Sequence, residues 1–150
     1  MTAARPARTL KGTTVRDVMR IHMVTVVPEM TVRELAHTLM DSGVRSVPVL
    51  GPTGKILGVA SQADVMRAAM AEAAHLSPNG NGAAAQGVDA QRVGSVMGPV
   101  GPTVSPDQPV RSLVRLFVQR RVQRALVVEN DMLLGIVTPI DVLGVIDEAA

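Results

Sequence analysis

The chain carries one pattern twice. Displaced by 78 positions, Val15, Val18 and Met19 fall on Val93, Val96 and Met97. Thr25, Val26 and Pro28 fall on Thr103, Val104 and Pro106, and Val32, Arg33 and Leu35 on Val110, Arg111 and Leu113. With Val44 on Val122 and Val49 on Val127, eleven of the 36 positions from 15 to 50 are identical to their counterparts, where chance would give only a few. After one single-residue deletion the displacement becomes 77, and Gly58, Asp64 and Val65 fall on Gly135, Asp141 and Val142, with Ser61 on Thr138. A duplication constrains the architecture before any element is assigned. A repeat of about 55–60 residues is too small to bury a good core alone, so the two copies are expected to pack together.

The same comparison divides the chain into an N-terminal tail (1–14), a first repeat (15–76), a linker (77–92) and a second repeat (93–148). Ser77-Pro78-Asn79-Gly80-Asn81-Gly82 is turn and breaker chemistry, and the linker is expected to be flexible.

Each repeat reads as β-α-β-β-α, an α+β fold. In the first, Val15 to Arg20 forms a short turn or helix, and Thr25-Val26-Val27 a short strand stopped by Pro28. Thr31-Val32-Arg33-Glu34 has the spacing of a capping box. The helix it opens carries an apolar stripe of Val32, Leu35, Ala36, Leu39 and Met40 and ends at Gly43. Ser46 to Leu50 and Ile56 to Ala60 are strands joined by a turn at Gly51-Pro52-Thr53-Gly54, and a second helix opens at Ser61 and runs to about His75. In the second repeat the helix stripe is Val110, Leu113, Val114 and Phe117. Ala125 to Val128 and Leu133 to Val137 are strands with a tighter turn at Asn130-Asp131, and Pro139 opens the last helix.

Composition removes several function classes. The absence of cysteine excludes a disulfide framework, a thiolate zinc site and a cysteine nucleophile. His22, His37 and His75 have no metal-ligand spacing, and no phosphate-binding glycine loop or nucleophile-elbow string occurs. No enzyme activity is expected. The start of the chain leads into no apolar run of signal-peptide type, and no stretch approaches the roughly 18 apolar residues of a membrane span. The expected location is cytoplasmic, with no membrane partner. Arginines cluster at 5–20 and at 111–124, but the net charge is only +2 and Phe117 is the sole aromatic residue. Both facts argue against a nucleic-acid partner.

Five strings then define a resemblance: V-R-D-V-M (Val15 to Met19), T-V-x-P (Thr25 to Pro28), G-V-R-S-V-P-V (Gly43 to Val49), G-V-A-S-Q-A-D (Gly58 to Asp64) and G-I-V-T-P-I-D (Gly135 to Asp141). In this order over residues 15–148, they resemble a tandem pair of cystathionine-β-synthase (CBS) domains, a Bateman module. The resemblance implies two repeats packed with pseudo-two-fold symmetry through their small sheets. It implies an adenosine-containing ligand (AMP, ADP, ATP or a relative) in clefts between the repeats as a regulatory ligand, with no obligatory cofactor. It further implies a homodimer and an effector protein that receives the signal.

The Ser/Thr-x-x-Asp strings carry the chemistry. A carboxylate at the start of a helix can accept both hydroxyls of a ribose, and a hydroxyl three residues earlier can meet a phosphate beside free helix amides. Ser61 with Asp64, and Thr138 with Asp141, fit that demand. The same spacing also fits a plain capping box, and the two roles are compatible. The resemblance places Val24, Val44 and Ser46 opposite Ile136, Thr138 and Asp141 in one cleft. It places Pro102, Val122 and Arg124 opposite Val59, Ser61 and Asp64 in the other. Arg45 and Arg124 are the expected phosphate contacts, although Arg45 aligns with Gln123 and Arg124 with Ser46. Gly98-Pro99-Val100-Gly101-Pro102 replaces Arg20 to Val24 in the second repeat and makes the Ser61/Asp64 cleft the weaker candidate. Two alternatives remain at this level: a purely structural dimerisation module with empty clefts, and a nucleic-acid binder acting through the arginine clusters.

Overall fold

The computed structural model describes residues 9–75 and 87–149. The first eight residues of the expected tail and the linker stretch 77–86 lie outside them. In chain order the elements are α1 (Val15–Val18), α2 (Val32–Ser42), β1 (Ser46–Leu50), β2 (Ile56–Ser61), α3 (Gln62–His75), α4 (Val93–Val96), β3 (Thr103–Val104), α5 (Arg111–Arg120), β4 (Ala125–Glu129), β5 (Met132–Val137) and α6 (Pro139–Ala149). The fold is α+β with two small sheets, β1-β2 and β3-β4-β5.

The chain forms two compact bodies that cut across the sequence repeats: Met1–Met23 with Pro102–Ala150, and Val24–Gly101. The opening helix of each repeat thus belongs to the body that holds the rest of the other. A four-residue helix cannot satisfy its own first amides. In the first body, α1 finds them partners on the second repeat: Val15 N–H donates to the Gln108 carbonyl at 2.8 Å and Arg16 N–H to that of Pro106 at 2.9 Å. Val15 and Val18 are buried in one cluster with Val104, Val110, Leu113, Ala125, Val127, Val137, Val142 and Val145. In the second body the bonds recur at the repeat displacement. Val93 N–H donates to the Met30 carbonyl at 2.8 Å and Gly94 N–H to that of Pro28 at 2.9 Å. Val93 is buried with Val26, Leu35, Leu39, Val47, Val49 and Ala60.

Local chemistry explains most elements. Glu34 N–H donates to Thr31 Oγ1 at 3.1 Å, the expected cap of α2. Gly43 closes α2 in the left-handed region at φ 70°, its N–H donating to the Leu39 carbonyl at 3.0 Å. Asn130 and Asp131 both take positive φ (52° and 65°), which fits the two-residue turn joining β4 to β5 with the strand twist. Two expectations change. The short strand at Thr25–Val27 reduces to one parallel bridge, Val26 to Val49, because Val26 alone turns inward while Val27 is 48% exposed and Pro28 follows. The α2 stripe is narrower than its periodicity suggested: Met40 is 83% exposed and borders a shallow groove with Ala36, Leu39, Gln62, Val65 and Met66.

The antiparallel hairpins, β1-β2 and β4-β5, each have their returning strand flanked by a segment of the other repeat. Arg20 and Ile136 exchange two backbone bonds, each 2.9 Å, along β5. Gly98 and Val59 do the same along β2, at 2.9 and 3.1 Å. The close approach needs glycine one residue earlier on the strand. A Cβ on Gly135 would stand 2.8 Å from the Arg20 carbonyl oxygen, and one on Gly58 would stand 2.6 Å from that of Gly98. Gly135→Ala and Gly58→Ala are therefore expected to cost about 1–3 kcal/mol each through overpacking, measured by urea unfolding. Gly51→Ala, whose Cβ would meet only Leu57 at ordinary contact distance, should stay within about 0.5 kcal/mol of the parent. Parent-like stability of both strand variants would contradict the close approach.

Candidate functional site

Each body presents one strand-to-helix junction of the same design. In the second body β2 ends at Ser61 and α3 starts at Gln62. The Ser61 N–H and hydroxyl both donate to Asp64 Oδ2, at 2.8 and 2.9 Å, and Asp64 N–H donates back to Ser61 Oγ at 3.3 Å. In the first body the Thr138 N–H and hydroxyl donate to Asp141 Oδ2 at 2.8 and 3.0 Å. Asp141 N–H donates to the Thr138 carbonyl at 3.0 Å. The capping role read from the spacing is thus present at both junctions, and it engages one carboxylate oxygen of each aspartate.

The second oxygen faces an arginine. Asp64 Oδ1 accepts from the Arg67 guanidinium, three residues along the same helix. Asp141 Oδ1 accepts from Arg20 Nε at 2.9 Å, across 121 positions of sequence. Both carboxylates are nearly buried, with side-chain exposures of 4% for Asp64 and 8% for Asp141, while Arg67 and Arg20 are 67% and 61% exposed. Burying a carboxylate to this depth is tolerable only when its oxygens are bonded, and here every oxygen is. The two arginines are not repeat equivalents. Arg20 aligns with Gly98, and Arg67 aligns with Gly144. Each junction keeps one guanidinium on Oδ1 but draws it from a different element.

The other expected residues distribute as follows. The second body holds Val24, Val44, Arg45, Ser46, Val59, Ser61 and Asp64; the first holds Pro102, Val122, Gln123, Arg124, Ile136, Thr138 and Asp141. Ser46 is the ladder partner of Ser61, and the Arg45 carbonyl accepts from Gln62 N–H at 2.9 Å, so both stand at the mouth of α3. Val44 packs against the core of its body. Leu126 faces Ile136 in the β4-β5 ladder and takes the Pro102 carbonyl at 3.1 Å on its other side. Arg124, at the start of β4, has its pKa lowered by partial burial. The amide donors of Ile136 and Val59 are already used by Arg20 and Gly98.

Sequence reasoning missed Arg20 and Arg67. Arg67 was accessible in principle, because residues three apart on a helix are neighbours. Arg20 was not: its contact depends on the opening segment of one repeat lying along the last strand of the other. Among the described residues no group of three or more His, Asp or Glu could hold a metal ion, and no helix is long and apolar enough to cross a membrane.

A family model for the CBS domain matches residues 15–71 and 93–148. The chain belongs to the CBS domain family. It is similar to the solved structure of CBSX2 in complex with AMP (24% identity, 92% of this chain and 98% of that chain covered, TM-score 0.71). It is also similar to the CBS domain of a bacterial CNNM/CorC family Mg2+ transporter in complex with ATP (25% identity, 93% and 90% covered, TM-score 0.67). A third similar structure is a CBS domain pair in complex with 5′-methylthioadenosine and S-adenosyl-L-methionine (19% identity, 92% and 98% covered, TM-score 0.63). A search of curated proteins returned no match.

The junction geometry separates the cap from the ion pair. Asp141→Ala leaves the Thr138 amide and hydroxyl without their acceptor and is expected to cost about 1–3 kcal/mol. Arg20→Ala leaves the cap in place and opens Oδ1 to water where the exposed guanidinium stood, so it should cost less than Asp141→Ala. Urea unfolding of the two variants checks the order; equal losses would contradict it.

Proposed function

We propose that the chain is a regulatory module that binds an adenosine-containing ligand at its Ser/Thr-x-x-Asp junctions and passes the resulting change to a partner protein. The observation that carries this reading is the split carboxylate. Oδ2 of Asp64 and of Asp141 is committed to the helix cap, while Oδ1 is held by a solvated guanidinium. A ribose brings two adjacent hydroxyl donors that can replace that guanidinium on Oδ1 without disturbing the cap. A phosphate attached to the same sugar would find helix amides and the nearby Arg45 or Arg124. The similar structures that hold AMP, ATP, or 5′-methylthioadenosine with S-adenosyl-L-methionine support the ligand class.

Because each body combines segments of both repeats, a ligand at Asp141 would touch the junction of the second repeat and the Arg20 segment of the first. Binding there biases the packing of the two segments if the ligand prefers one arrangement, which is the condition for a ligand to act as a signal. The exposed apolar side chains Ile140, Leu143 and Ile146 on α6 support association with a second copy. The reading is that of a binding module, not an enzyme.

Thermal unfolding with AMP, ADP, ATP and S-adenosylmethionine tests the proposal. A ligand at a hundredfold excess over its dissociation constant is expected to stabilise the chain by about 2.7 kcal/mol. The Asp64→Asn/Asp141→Asn double variant should fold and show no shift. No shift of the parent with any of the four, or an undiminished shift in the double variant, would contradict the assignment.

A further inference from the structure

We propose that Arg20 makes the Asp141 junction selective for phosphorylated adenosine ligands over adenosine itself. The proposal rests on the reading that a ribose binds Asp141, and it adds the ligand's charge as the selected property. In the present structure Arg20 Nε and Asp141 Oδ1 form a charge-assisted bond at 2.9 Å. Oδ2 is already bonded twice by Thr138. A ribose can therefore enter only at Oδ1, and its entry exchanges one partner for another. The carboxylate loses a guanidinium and gains two hydroxyls. The guanidinium loses its counter-charge and gains only water unless the ligand carries an anion.

Arg20 cannot follow its lost partner far. Its backbone is fixed to Ile136 by two 2.9 Å bonds, and Gly135 lets the segment lie close against β5. Only the side chain can swing, and it is 61% exposed. The displaced guanidinium thus stays within a side chain's reach of the sugar that displaced it, where a 5′-phosphate would be. Arginine matches phosphate oxygens in paired geometry, so a phosphorylated ligand restores the charge pairing that neutral adenosine leaves broken.

The other junction differs in this respect. Arg67 sits on α3 one turn beyond Asp64, whereas Arg20 is carried by a segment bonded two residues ahead of Thr138, at the N-terminal end of α6. Gly98, the counterpart of Arg20, supplies no cation. The selectivity is accordingly assigned to the Asp141 junction.

The Thr138 amide, bonded to Asp141, reports this junction alone. Its 15N NMR shift, followed through titrations with AMP and with adenosine, gives both dissociation constants for the parent, Arg20→Ala and Arg20→Lys. The parent is expected to bind AMP at least tenfold tighter than adenosine. Arg20→Ala should lower that ratio severalfold, chiefly by weakening AMP, and Arg20→Lys should restore part of it. A ratio unchanged in Arg20→Ala, or AMP and adenosine weakened equally, would overturn the proposal while leaving the adenosine reading intact. If neither ligand moves the Thr138 amide in the parent, the adenosine reading of this junction falls, and the selectivity with it.

Discussion

A carboxylate has two oxygens, and at both junctions of this protein one of them is not available to a ligand. Oδ2 of Asp64 and of Asp141 closes the first turn of its helix by accepting from the preceding Ser61 or Thr138. This bond fixes the helix start, turns Oδ1 toward its arginine and makes the near-burial of a charged group tolerable. Everything attributed to the site follows from the division of labour between the two oxygens. The cap is internal to the junction, whereas the arginine on Oδ1 is exposed to solvent. The capping role read from the spacing is present at both junctions, and it leaves the second oxygen of each aspartate outside the cap.

The second constraint is the crossing of the repeats. The opening helix of each copy finds amide acceptors and an apolar slot only on the body of the other, through bonds that recur at the repeat displacement, such as Val15 to Gln108 and Val93 to Met30. Each core takes in the opening helix of the other copy, Val15 and Val18 in one body and Val93 in the other. The crossing also supplies the site: Arg20 meets Asp141 because the segment after α1 runs along β5 past Gly135. The copies differ here: the cap is present in both, whereas the guanidinium on Oδ1 comes from a different element in each.

Much of this was legible in the sequence. The α2 cap at Thr31, the stop at Gly43, the two hairpins and the helix starts after Ser61 and Thr138 all follow from local chemistry, and the structure has them. The failures have physical causes. Thr25–Val27 has strand composition, but only Val26 meets a neighbour, so no ladder forms. Met40 keeps helical spacing yet lies at the margin of the buried stripe. The exchange of opening helices leaves no trace in periodicity, because a four-residue segment reads alike wherever it docks. For the same reason the pairing of Arg20 with Asp141 is not readable from the sequence.

A crystal structure of the chain with AMP tests the central claim most directly. The account predicts ribose hydroxyls on Oδ1 of Asp141, the two Thr138 donors still on Oδ2, and the Arg20 guanidinium displaced from the carboxylate toward the phosphate. Nucleotide bound elsewhere with the Arg20–Asp141 pair intact, or a ribose that takes Oδ2 and breaks the cap, would contradict it.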